Sequence, residues 1–333
     1  MRKKYFLTLL IFFIFLFLGC NNKVVNEEIS DTTSQDIPEK FYNLYTGEES
    51  LTDINNNIPF MVMIENSPAS RPQSGLSQAD VVYETSAEGG IPRFMALFHK
   101  NSPDTIGPVR SIRSYFIDIS QEHNLPFAHC GGSEEALNEI ANNNSIMSIN
   151  EISKTNYFWR DPKRNPPHNL YTSSTNIRDY IRKNNWTVDG KAFSKFNSSF
   201  YTSNDLPTAN NVRITMNKLY NTSYTYSNDL YLKSMDGIKA IDADNNEAIS
   251  FTNIIIQKTN IKLSSDNLHL NIDLLGDGDA IVLSKGKMVS ATWKHTLDSS
   301  RTRLYDDSGD EIPLSPGKTI WHIVDKSTSV EIN

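Results

Sequence analysis

Ile58-Pro-Phe-Met-Val-Met-Ile64 is the stretch whose reading decides the fold. It is a short apolar run, of strand rather than helix length, and reads as a buried strand. Val81-Val-Tyr83 and Phe94-Met-Ala-Leu-Phe98 follow the same pattern. Ile112, Tyr115, Phe116 and Ile119 then fall at i, i+3, i+4 and i+7, the stripe of an amphipathic helix starting near Ser111. Leu125–Ala128 is another apolar run, turned by Gly131-Gly132. Ser133 suits an N-cap for a helix over Glu134–Ala141, with two acids in its first turn. Ile177, Tyr180 and Ile181 mark a further helix starting at Ser173 or Ser174. Strands alternating with helices over residues 51–198 indicate a mixed α/β domain.

The pattern changes after the Ser-, Asn-, Thr- and Pro-rich stretch 196–211, which reads as a boundary. Beyond it lie short strand-like segments: Val212–Met216, Tyr224–Tyr226, Leu230–Leu232, Ile254–Gln257, Leu268–Ile272, Ala280–Leu283 and Trp321–Val324. Turn signals such as Asp236-Gly237 and Lys285-Gly286 separate them, so residues 205–333 read as a smaller, mostly-β domain. The class is therefore α+β. Gly276-Asp-Gly-Asp279 has no glutamate at the twelfth position of a calcium loop, and reads as a tight turn.

The N-terminus is an address. Arg2, Lys3 and Lys4 precede the apolar run Tyr5–Leu18, interrupted only by Thr8. Fourteen residues span about 21 Å as a helix, too short for a bilayer core of about 30 Å. This is an export signal. It ends in Leu16-Phe17-Leu18-Gly19-Cys20, which resembles a bacterial lipobox. That resemblance implies cleavage before Cys20 and its diacylation, and two acyl chains suffice for stable anchoring. The membrane lipid is thus one expected partner, and the polar stretch 21–50 a tether. Cleavage removes three basic residues from a chain of formal charge -7, leaving about -10. An acidic body is not built for nucleic acid, which needs clustered Lys and Arg. Cys130 is then the only cysteine inside the body, so no intramolecular disulfide is expected.

Chemistry-bearing residues concentrate between Glu65 and Arg113. Arg71, Arg93, Arg110 and Arg113 lie among Glu65, Glu84 and Glu88, mostly where strands end. Arg110 and Arg113 head the first helix, where basic residues oppose the helix dipole by about 0.3–1 kcal/mol each. An anion would compensate, either an external phosphate or carboxylate, or an internal glutamate. The first alternative predicts one open basic pocket formed by the four arginines. His129-Cys130-Gly-Gly-Ser133 is a strand-turn-helix junction, where His129 and Ser133 are candidate contacts. Adjacent strand residues point to opposite faces, so His129 cannot serve Cys130 as a base. Pro166-Pro167 stiffen the chain before His168-Asn169, presenting both to a polar ligand or packing them on the surface. The histidines lack zinc spacing, so neither a metal nor a cofactor is expected.

At these residues the chain resembles the YerB-like lipoproteins of Gram-positive bacteria. The motifs are Glu65-Asn66, Ala69–Gln73, Gly75–Asp80, Glu88-Gly-Gly through Arg93-Phe, Ile106–Arg113, His129, Gly131–Ser133 and Pro167–Tyr171. In the second half they are Asn253–Gln257, Thr292-Trp-Lys294, Arg301-Thr302 and Pro316–Thr319. The resemblance implies a two-domain exported lipoprotein on the outer face of the cytoplasmic membrane. It carries over no catalytic residue. The residues leave three readings open: a binding module for an anionic or glycan-type envelope ligand or a protein partner, an envelope enzyme for phosphorylated or glycosidic substrates, and a structural scaffold.

Overall fold

The computed structural model describes residues 40–53, 57–203 and 205–333. Cys20 and the tether as far as residue 39 lie outside them. Phe60–Glu65 (β1) is buried along all six residues. Its side chains alternate between two cores, as a strand covered on both faces requires. Phe60, Val62 and Ile64 join one core, and Met61 and Met63 the other. Each such side chain contributes roughly 1.5–3 kcal/mol on burial.

From β1 the chain forms Val81–Ser86 (β2), Pro92–Phe98 (β3), Ser114–His123 (α1), Phe127–His129 (β4), Glu134–Asn142 (α2), Ser148–Asn150 (β5) and Ser174–Lys183 (α3). Then come Asn211–Thr215 (β6), Asn221–Ser227 (β7), Leu230–Met235 (β8), Ile238–Lys239 (β9), Ser250–Phe251 (β10), Asn253–Thr259 (β11) and Gly276–Ser284 (β12). Lys287–His295 (β13), Arg303–Tyr305 (β14), Thr319–Asp325 (β15) and Ser329–Ile332 (β16) complete the two main sheets. The cap expected at Ser133 forms, its Oγ accepting from Ala136 N, and α3 starts at Ser174 with Ser173 Oγ accepting from Asn176 N.

One sheet has ten strands in the order β14-β13-β12-β11-β15-β2-β3-β1-β4-β5. β15 lies parallel to β11 on one side and to β2 on the other, pairing Ile320 with Ile254 and with Val82. The second sheet is antiparallel, ordered β9-β8-β7-β6-β16, with β10 against β8. Helix α1 supplies Phe116 and Ile119 to the core that holds Met61 and Met63. Helix α3, with Ile177 and Ile181, shares the opposite core with Ile214, Tyr224 and Tyr231 of the second sheet. The α+β class and the mostly-β C-terminal part are as the sequence indicates.

Three local expectations are corrected. Helix α1 starts at Ser114, not near Ser111, so Arg110 and Arg113 precede it; Arg113 holds the N-cap position without a side-chain cap. Gly276–Asp279 is not a turn but the start of β12, paired against Thr292–His295 of β13. The last part of the expected tether is folded: Phe41–Tyr42 pairs with Glu49–Ser50. Residues 40–333 form one compact unit, and the stretch read as a boundary is tied in, with Leu314 N donating to Lys195 O and Asn197 N to Leu314 O.

Candidate functional site

Glu65 ends β1, and an extended segment after β3 runs beside it. Glu65 N donates to Pro108 O and Arg110 N to Met63 O, while Cys130 N donates to Arg110 O. On its other side this segment meets the short strand Leu170–Tyr171: Val109 N donates to Leu170 O at 2.7 Å. Gly107 permits that approach. Its φ is +151°, and a Cβ there would stand 2.7 Å from the Leu170 carbonyl oxygen. The backbone therefore places Arg110 and His168 on either side of the Glu65 carboxylate.

That carboxylate is 5% exposed. His168 Nδ1 lies 2.9 Å from Oε2, and Ser67 Oγ donates to Oε1 at 2.9 Å. Arg110 Nε stands off at 3.8 Å from Oε1. No hydrogen bond joins the Arg110 guanidinium to another described residue, and its side chain is 34% exposed. Next to it, the Cys130 thiol donates to Glu151 Oε2 at 3.2 Å, and Arg160 Nη2 lies 3.8 Å from Glu151 Oε1. Arg160 also donates to Asn169 Oδ1 at 3.0 Å, and half of its side chain is exposed. Burial, with the Glu151 hydrogen bond, pushes the Cys130 thiol up to about 11, so it is not a thiolate nucleophile. Trp159 stacks on Tyr171 and keeps 38% of its surface exposed. Arg164 locks this loop down, donating to Pro72 O at 2.8 Å and Tyr171 Oη at 2.9 Å.

The four arginines do not form one basic pocket; they are drawn to three different carboxylates. Arg71 pairs with Asp236 at 2.5 Å and braces Asn66 through Nε and Nη2, each at 3.0 Å. Arg93 and Arg113 share Glu88: Arg93 Nη2 lies 2.8 Å from Oε2, and Arg113 donates through both Nε and Nη2. Burial pushes the Glu88 carboxyl up, but the Arg113 hydrogen bond and the two guanidinium charges outweigh it and hold the group below its ordinary range. Burial, reinforced by Arg113, brings Arg93 down to about 10. These two arginines are internal braces. His129 is likewise engaged internally: it is fully buried, with Nδ1 2.8 Å from Gly131 O and Nε2 2.7 Å from Ser148 Oγ. Burial takes its imidazole down to about 4. Ser133 is occupied in capping α2.

Two family models match the chain, the N-terminal and C-terminal domains of DUF3048, described as a protein of unknown function, over residues 45–187 and 211–321. YerB of Bacillus subtilis (strain 168), named as a lipoprotein, is 30% identical over 332 residues, covering 97% of this chain and 96% of that protein. The crystal structure of Bacillus subtilis YerB superposes with a TM-score of 0.79 at 29% identity, over 88% of this chain and 100% of that one. The chain belongs to the YerB-like lipoprotein family.

The family motifs quoted above divide by environment. Glu65, Arg110, His168 and Asn169 gather at the open cluster, with Arg71 next to it through Asn66. Glu88, Arg93 and Arg113 form a closed triad. Sequence reasoning missed a fully internal polar group. Lys233 Nζ, 1% exposed, lies 2.7 Å from Glu84 Oε2, and also meets Thr222 Oγ1 at 2.6 Å and Tyr224 Oη at 2.9 Å. Asn66 Nδ2 donates to Glu84 Oε1 at 3.1 Å, while His322 Nδ1 lies 3.4 Å from Oε2 and its Nε2 2.7 Å from Tyr224 Oη. This network links the two sheets. Arg160 and Glu151 were also missed as site members; the signal for Arg160 was its place in the dense stretch before Pro166-Pro167. No described group of three or more His, Cys, Asp or Glu is arranged to hold a metal ion, and no described helix is long and apolar enough to cross a membrane.

Proposed function

We propose that this is a non-catalytic binding lipoprotein, held on the outer face of the cytoplasmic membrane by an acylated Cys20. It takes an anionic or glycan-type envelope ligand on the face formed by Arg110, His168, Arg160 and Trp159. The observation that carries the reading is Arg110: a guanidinium with spare donors, one-third exposed, whose one ion pair among the described residues is loose at 3.8 Å. Guanidinium forks recognise phosphate and carboxylate bidentately, and an exposed ring beside them suits the apolar face of a sugar. Asn169 steadies Arg160, and Glu65 orients His168.

Titration of the protein with inorganic phosphate and with a phosphorylated disaccharide, followed by NMR shifts, tests this. Arg110→Ala is expected to weaken binding at least about tenfold, the loss of one charge-assisted contact. Equal affinity in the variant would remove the site. Mass spectrometry of the membrane-bound protein is expected to find acyl chains on Cys20, and their absence would sever the tether from the reading.

One observation favours an enzyme instead. The Glu65–His168 contact leaves His168 Nε2 without a described partner at a partly open surface, which is the placement of a general acid or base. Turnover of a phosphoester or glycoside by the protein, lost in His168→Ala while binding persists, would select that reading.

A further inference from the structure

Arg301, in the connection from β13 to β14, belongs to a motif that the site above does not use. Its neighbour Thr302 faces α1 and donates to Glu122 through N at 2.8 Å and Oγ1 at 3.1 Å. Arg301 turns into the body and is 8% exposed. Neither its Nε nor its Nη1 has a hydrogen-bond partner among the described residues, and no described carboxylate lies within ion-pair distance of it. The two acids that act on its charge, Glu311 and Glu122, are engaged elsewhere. Glu311 pairs with Arg303 at 2.7 Å and Lys195 at 3.3 Å. Glu122 accepts the two Thr302 bonds and lies 3.4 Å from His295.

The Thr302–Glu122 bonds bring this connection to the end of α1, where the buried Tyr45, Tyr83 and His123 are also short of acceptors. Tyr83 Oη lies 2.7 Å from His123 Nε2, and His123 Nδ1 has no partner. With Tyr83 donating to Nε2, the ring proton sits on Nδ1 and becomes a further donor. The Tyr45 hydroxyl proton finds no acceptor either. Guanidinium remains protonated in proteins, and a buried charge without a counter-charge is the costly arrangement. The aromatic rings at this place pack closely: Tyr45 and His123 centroids are 6.3 Å apart, His123 and Phe193 5.8 Å, and Phe193 and Trp321 6.0 Å. Such packing excludes an organic guest.

We propose that Arg301, with Tyr45 and His123, holds a buried inorganic anion the size of chloride. The anion would join three segments far apart in sequence: the residues before β1, the end of α1, and the β13–β14 connection.

Thermal unfolding of the full chain in sodium chloride, sodium bromide and sodium gluconate at equal ionic strength tests the proposal. Saturable halide stabilisation is expected, raising the midpoint by about 3–5 °C at roughly one hundred times the dissociation constant. Crystals grown in bromide are expected to show an anomalous peak within about 3.5 Å of an Arg301 nitrogen. Arg301→Met should lose the halide response; should that variant not fold, the wild-type titration and the bromide crystal decide alone. Equal midpoints in chloride and gluconate would overturn the proposal. So would ordered water in place of bromide at Arg301, or a halide response with the peak elsewhere.

Discussion

Glu84 and Glu65 stand on strands that flank β3, and both are nearly inaccessible, yet they do opposite things. Glu84 meets Lys233, which is 1% exposed, and His322, which is fully buried. Glu65 meets His168 and Arg110, which are 24% and 34% exposed. Burial of the acid is the same in kind; the exposure of its partners separates a strut from a site. Around Glu84 the three donors of Lys233 are met within the fold, so removal of either charged partner leaves the other with nothing to meet it. Around Glu65 the cation is held at arm's length and keeps donors to offer.

Acid should break the inner region first and most. His99 and His129 are brought down to about 4 and His123 to about 3, in each case first by burial, and burial also depresses His322. A depressed folded value means that the neutral ring stabilises the fold fully above the ordinary value of about 6.5, and that this is lost as pH falls toward 4. His99, His129 and His123 each contribute roughly 3–5 kcal/mol, and His322 acts in the same direction. Urea unfolding at successive pH values should show stability falling steeply from pH 6 to 4. A flat profile over that range would mean the rings are hydrated in the native state.

Lys233→Met comes next, with an expected loss of about 3–5 kcal/mol in chemical denaturation, because Glu84 stays buried without its cation. Adding Glu84→Gln should recover part of that loss, and strict additivity of the two would deny that they are a pair. Glu88→Gln removes the counter-charge shared by Arg93 and Arg113, whose side chains are 10% and 11% exposed. It should cost about 2–3 kcal/mol. The smallest effect belongs to Arg110→Ala, below about 1 kcal/mol in stability, since its ion pair is long and partly solvated. A loss as large as that of Lys233→Met would make Arg110 a strut and erase the distinction between the two regions.

The sequence shows the strands and helices where local signals are strong. β1, β2 and β3 announce themselves as apolar runs, and Ser133 as a cap. β8 shows why more could not be read. By residue type a leucine belongs in a core and a lysine at a surface, yet Leu232 is 38% exposed and Lys233 is buried. Strand alternation puts Tyr231, Lys233 and Met235 on the inner face, and only the distant Glu84 makes a lysine tolerable there. The arginines pose the same difficulty. That cations and acids cluster is visible in the chain, but Arg71 is answered by Asp236, 165 residues away, and no local spacing announces such a partner. Of the candidate site, Glu65, Arg110, His168 and Asn169 were legible because they sit in stiff loops at strand ends. Arg160 and Glu151 were not, because only the folded loop brings them to Cys130.

The position of β15 sets an order of events. The strand β15 follows β2 and β11 in the chain, yet it lies between them in the interior of the ten-stranded sheet, hydrogen-bonded to both. A chain that is made N-terminus first therefore delivers β2 and β11 long before the strand that must join them. Until β15 arrives, both present open edges, and such edges invite pairing with other chains. Completion of this sheet thus waits on β15, and the interval before it arrives is when the chain most needs protection from its neighbours.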